Sequence, residues 1–234
     1  IISKEKKKYI STPNIIIPIK ELLIKEQYFI EYFYDHDVFS FSEINYLETD
    51  ELKNALKSSY FIYNYYGTLE EFQKIIKIYA DKIIGNNVII NIPFSIPTTI
   101  INHDFTKKEI EHYLDVVVKI LEQFPEINFS LSVRIFEYLE LFNLYISIIS
   151  KYENIKILNF TDVFDNFSKY RKILQVINRV KKELDNNIVI MASGKIIPKF
   201  FPILIYLGID LIDCSYLLYL SSENFYDTIE YLLP

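Results

Sequence analysis

The stretch from Ile188 to Cys214 restricts the fold more than any other part of the chain. A β-branched run over 188–190 stops, after Met191, at the small residues Ala192, Ser193 and Gly194. An apolar helical run over 196–207 follows and ends at Gly208, where a residue without a side chain suits the left-handed turn that closes a helix. A second short strand then occupies 210–214. Two strands joined through a helix, with no room for a hairpin, have to run parallel.

That unit recurs along the chain. Residues 14–19, 37–42, 60–65, 87–93, 128–134, 155–159, 188–191 and 210–214 read as strands. The segments between them have helical spacing: 21–32, 50–57 with Thr49 as cap, 68–84 stopping at Gly85, and 107–124 capped by Thr106. Further helices are expected over 136–152, 168–184 and 196–207, with a closing amphipathic segment over 223–233. Eight strands, each followed by a helix, is the count of an α/β (β/α)8 barrel, or TIM barrel, and 234 residues suit it. An open doubly wound sheet is the alternative. No repeat, linker or charge boundary divides the chain, so 1–234 is expected to be one domain.

Charge and cysteine usage narrow the function classes. A net charge of −6 argues against a chain that grips nucleic acid over a broad surface by itself. The basic cluster from Lys4 to Lys8 reads as a solvated tail. The single cysteine, Cys214, excludes an internal disulfide and any multi-cysteine metal site, and the three histidines lack ligand spacing. No metal and no cofactor are expected. No apolar run reaches the length of a membrane span, and a cytoplasmic protein is expected.

In parallel α/β folds, chemistry sits at the C-terminal ends of the strands. Asp213 ends the eighth strand, and as a carboxylate it is the candidate catalytic group; capping the turn after the strand is the plain alternative. Arg134 ends the fifth strand and is suited to a phosphate or an ion pair, with Asp213 or Glu43 as partner. Glu43, after the second strand, is a candidate to approach Asp213 across the barrel mouth. Ser193 and Gly194 precede an expected helix N-terminus, where backbone N–H groups receive anions or base edges. Asp210 reads as a strand-start residue.

With the eight strands laid out, several segments resemble the tRNA-guanine transglycosylase superfamily, enzymes that insert 7-deazaguanine bases into tRNA. Leu207-Gly-Ile-Asp-Leu-Ile-Asp-Cys-Ser-Tyr216 resembles that family's Gly-x-Asp-Leu-Phe-Asp-Ser stretch on the eighth strand. The second Asp of that motif is the family nucleophile and matches Asp213. The segment 188–194 resembles the Val-His-Leu-Phe-Gly-x-Gly stretch of archaeal members. Ser95-Ile-Pro-Thr98 resembles the Asp-Ile-Pro-Thr loop, and 9–18 resembles the extended Thr-Pro lead into the first strand. These matches follow one another in the family's order over most of the chain.

The departures are equally specific. The third-strand acid of the family is replaced by Asn64 or Tyr65, and the base-reading Asp of the fourth-strand loop by Ser95. The fifth-strand Gln-Gly-Gly aligns with Arg134-Ile-Phe136, and paired glycines of the sixth strand fall near Asn159-Phe160. No zinc site or C-terminal RNA-binding domain is recognised. The resemblance implies a divergent, minimal barrel in archaeosine- or queuosine-type tRNA modification, closest to the archaeosine synthase branch. Asp213 would act as nucleophile, with Ser95, Arg134, Ser193, Gly194, Asn64 and Glu43 around the base. It implies tRNA as partner, a second subunit or domain supplying RNA affinity, and a homo- or heterodimer. A non-catalytic barrel that partners an active transglycosylase is the alternative.

Overall fold

The structure, a computed structural model, describes residues 11–19, 36–49, 59–94, 102–134, 139–161, 163, 170–184 and 188–222. Eight strands close a barrel in sequence order. They are β1 (Asn14–Pro18), β2 (Val38–Phe41), β3 (Tyr60–Asn64), β4 (Val88–Ile92), β5 (Asn128–Val133), β6 (Ile155–Phe160), β7 (Val189–Ala192) and β8 (Leu211–Asp213). Every neighbouring pair is parallel. Closure is made by β1 against β8, with Asn14, Ile15 and Ile16 opposite Leu211, Ile212 and Asp213. That pairing rules out the open sheet.

The period-2 alternation of the strands sorts their side chains into two cores. Ile16, Val38, Tyr60, Ile62, Ile89, Ile157, Met191 and Leu211 form one buried cluster inside the barrel. Their neighbours in sequence, among them Phe39, Phe61, Ile90, Leu158 and Ile212, belong to the larger cluster between barrel and helices. β6 carries one irregularity. Phe129 pairs with Ile155 but Ser130 pairs with Ile157, so Lys156 is an extra residue, a bulge. Ile155 joins the outer core and Ile157 the inner one.

The described helices are α1 (Leu69–Ile83), α2 (His103–Gln123), α3 (Phe142–Ile149), α4 (Tyr170–Glu183), α5 (Phe201–Leu207) and α6 (Ser215–Ser222). α1 starts where the sequence predicts, through a capping box in which Thr68 Oγ1 accepts from the Glu71 amide and Glu71 accepts from the Thr68 amide. α2 starts earlier than expected: the Asn102 side chain accepts from the Phe105 amide and is the cap, while Thr106 lies inside the helix and donates to the Asn102 carbonyl. Thr49 closes a 3-10 turn (Ile44–Glu48) by donating to the Tyr46 carbonyl. The expected helix after β7 is shorter. Ile197 is extended ahead of Pro198, a 3-10 turn (Pro198–Phe200) follows, and α5 begins only at Phe201. It ends as predicted at Gly208, whose φ is +96°. The expected helices over 21–32 and 50–57 and the segment over 223–233 lie outside the described residues. Among the described residues, no helix is long and apolar enough to cross a membrane.

Candidate active site at the barrel mouth

The barrel interior changes character along its axis. The inner cluster is apolar below, but the last inward positions of several strands are polar: Asn64 on β3, Asn91 on β4, Ser132 on β5, Asn159 on β6 and Asp213 on β8. Together with Arg134, Ser193 and Gly194 they line one cavity of about 390 Å³ at the C-terminal ends of the strands. That volume falls in the range, about 300–1,000 Å³, of small-molecule sites.

The floor is a connected set of carboxamides. Asn91 Nδ2 donates to Asn64 Oδ1 at 3.1 Å, and Asn91 Oδ1 accepts from Ser132 Oγ at 3.0 Å and from Asn159 Nδ2 at 3.5 Å. Asn159 is fully buried, yet its Oδ1 has no hydrogen-bond partner among the described residues. A buried acceptor left without a donor costs about 1–3 kcal/mol.

Asp213 is 5 % exposed. Its Oδ1 accepts from the Ser215 amide at 2.9 Å and from Ser215 Oγ at 2.6 Å, at the start of α6. The capping role weighed from the sequence is therefore real, and the same carboxylate also lines the cavity. Burial raises its titration above the ordinary carboxylate range, while the two Ser215 bonds pull it down. Adjacent Cys214 is pushed up to about 12, by burial first and then by the Asp213 charge, which leaves it an inert thiol.

Arg134 closes the rim at the end of β5, its guanidinium carbon 5.7 Å from the centre of the Phe94 ring. Ser193 donates its amide to the Phe160 carbonyl, and Gly194 takes a φ of +109°. Both reach the cavity, but the α-helix expected directly behind them begins only at Phe201, because Pro198 holds Ile197 extended and a 3-10 turn follows.

Both candidates for the third-strand acid position line the cavity, but only Asn64 joins its carboxamide floor. The Tyr65 hydroxyl is donated to Glu71 Oε2 at 3.1 Å, and its ring packs beside Phe72, at the α1 cap. Glu43 is not brought to the mouth. It is exposed ahead of the 3-10 turn, and its charge acts on the outward-facing Tyr63, whose hydroxyl is raised first by burial, then by Tyr65 and Glu43. Ser95 lies outside the described residues. Asp210 is a strand-start residue, its Oδ2 accepting from the Ile190 amide at 2.9 Å.

Sequence reasoning missed Asn91 and Ser132 and treated Asn159 only as a glycine replacement. The signal was available: β3, β4 and β6 each carry an Asn two residues after an inward Ile (Ile62, Ile89 and Ile157), so alternation puts it on the inner face. Among the described residues no group of three or more His, Cys, Asp or Glu could hold a metal ion.

No protein-family model matches the chain, and no curated protein matches it either. Solved structures do. Dihydrodipicolinate synthase from Rhodopseudomonas palustris is similar over 95% of this chain and 78% of its own, with a TM-score of 0.57 and 11% identity. 3-Hexulose-6-phosphate synthase from Salmonella typhimurium aligns over 85% of this chain and 87% of its own, with a TM-score of 0.45 and 13% identity. At such identity the similarity to the first concerns the fold alone: the chain is a (β/α)8 barrel with a polar, carboxylate-bearing mouth.

Proposed function

We propose that this barrel is a divergent member of the tRNA-guanine transglycosylase type that holds a 7-deazaguanine-type base of tRNA in its mouth, with Asp213 as the attacking carboxylate. The supporting observation is that Asp213 shares one cavity with the carboxamides of Asn64, Asn91 and Asn159. Flat amide groups suit the polar edges of a planar heterocycle, and a carboxylate beside them suits displacement at the attached sugar carbon. An Asp213 oxygen forms a bond to the ribose C1′ as the bond from C1′ to the base nitrogen breaks. The electron pair leaves on that nitrogen, where Arg134 and the Asn64 amide offer donors. An incoming 7-deazaguanine base then attacks C1′ through its ring nitrogen and releases the carboxylate, while the proton that nitrogen gives up is, through water, the one the departed base takes on.

Burial makes Asp213 less solvated and so more nucleophilic once ionised, and Ser215 holds it in one orientation. With a net charge of −6, affinity for the tRNA backbone would come from a second, basic subunit or domain. The capping geometry of Asp213 favours a second reading: a non-catalytic barrel that holds the base for an active partner.

The test is to incubate the chain, with whatever copurifies, with tRNA and a labelled 7-deazaguanine base, and to look on a denaturing gel for an RNA–protein adduct. An adduct present with the native chain and absent with Asp213→Asn supports base exchange. Base binding without an adduct selects the non-catalytic reading. Neither binding nor adduct overturns the proposal.

A further inference from the structure

We infer that Arg134, Thr161 and Ser193 form a phosphate subsite at the rim of the barrel, placed for the phosphate of the nucleoside whose base lies on the carboxamide floor. The inference deepens the nucleobase reading above and rests on it.

Strand register puts these residues in one row with Asp213. Val133 pairs with Phe160, Phe160 with Ala192, and Ala192 with Ile212. The ladder runs one residue further: the Thr161 amide donates to the Val133 carbonyl at 2.9 Å and the Ser193 amide to the Phe160 carbonyl at 3.0 Å. Arg134, Thr161, Ser193 and Asp213 therefore stand side by side, and all four line the cavity. On β5 and β6 the row lies one inward position above Ser132 and Asn159. Neighbouring strands are about 4.8 Å apart, so Asp213 and Thr161 are about 10 Å apart at the backbone. That span takes a pentose: C1′ over the Asp213 carboxylate, the base on the floor below, and the phosphate over Thr161 between Arg134 and Ser193. The chemistry along the row follows the same order, from carboxylate through two hydroxyls to guanidinium, so the anion falls at the end away from Asp213. A guanidinium is the side chain best matched to phosphate oxygens. Thr161 Oγ1 reaches the Val133 carbonyl only at 3.4 Å, a long bond that a charged acceptor displaces. Behind Ser193 the turn leaves the Gly194 and Lys195 amides without a backbone acceptor among the described residues, while Ser193 and Ile196 on either side have theirs.

Calorimetry on the full chain at fixed salt tests the inference with guanosine, guanosine 5′-monophosphate and a trinucleotide carrying guanosine in the middle. Both phosphate-bearing ligands should bind at least about tenfold more tightly than guanosine, the gain from one hydrogen bond to a charged group. Thr161→Val keeps shape and net charge and should lower both ratios by about tenfold. A ratio that this variant leaves unchanged comes from general attraction and overturns the row as the subsite. Should the variant fail to fold, the comparison on the native chain still decides. A gain for the monophosphate alone supports the subsite, makes its ligand a free nucleotide and removes RNA from the function. Phosphate-bearing ligands bound no more tightly than guanosine overturn the subsite and leave the nucleobase reading standing. Failure of all three to bind overturns both.

Discussion

Replacing Ser215 by Ala removes the 2.6 Å hydroxyl bond to Asp213 and leaves the 2.9 Å backbone bond in place. A hydrogen bond to an ionised group contributes about 1.5–3 kcal/mol, and one to a neutral group about 0.5–1.5 kcal/mol. The loss therefore depends on the charge of Asp213. Burial raises this carboxyl, so the fold prefers it protonated. That preference is full below the ordinary carboxylate range and is lost as pH rises through the elevated titration of Asp213. Without the hydroxyl the ionised form is held less well, and the loss on the alkaline side deepens. For a chain of this size about 1 kcal/mol corresponds to about 2–4 °C. Thermal unfolding of Ser215→Ala should fall about 3–12 °C below the native chain at neutral pH. The gap should narrow as pH drops through the carboxylate range. A gap that is constant with pH, or that widens in acid, refutes the account of a buried carboxylate stabilised by Ser215.

Asp213→Asn keeps an oxygen for both Ser215 donors but cannot ionise, so it should melt above the native chain at neutral pH and equal to it in acid, as read by calorimetry. Gly208→Ala places a side chain at φ +96° beside Lys181 and should lower stability by about 1–2 kcal/mol in denaturant titration, with base binding intact. Tyr65→Phe keeps the ring at the cavity wall and removes only the hydroxyl bond to Glu71 at the α1 cap, so affinity for the base should not change; a tenfold loss in calorimetry would give the Tyr65 hydroxyl a part in binding.

The barrel was legible in the sequence because the strands are short β-branched or aromatic apolar runs and several helices start or stop at a recognisable residue. Thr68 with Glu71, and Gly208, behave as local chemistry dictates. Where two residues a turn apart could each serve as cap, propensity did not decide: Asn102 took the cap, and Thr106 is buried one turn inside α2 with its hydroxyl donated to the Asn102 carbonyl. The helix after β7 was drawn too long because apolar spacing was weighed above Pro198 and Pro202. At the site, Asp213, Arg134, Ser193 and Gly194, read from their positions at strand ends, and Asn64, read from the family resemblance, were all found lining the cavity. Glu43 was not, since a residue beyond the end of a strand no longer follows its alternation, and its chain direction is set by the 3-10 turn. The carboxamide floor was missed because it depends on strand register, which sets Asn64 beside Asn91, and on the curl of the sheet, which brings Asn159 to Asn91 across β5.

The bulge at Lys156 acts as a reading frame for the cavity floor. Before it β6 turns Ile155 outward, and after it Ile157 and Asn159 face in. Were Lys156 taken into the ladder as an ordinary strand residue, alternation would carry Ile157 and Asn159 outward with Ile155. Leu158 and Phe160 would then stand beneath the mouth, and the carboxamide would be driven into the helical layer. A barrel of this kind can therefore gain or lose a polar floor by bulging out or taking in one residue, with no substitution at the site itself.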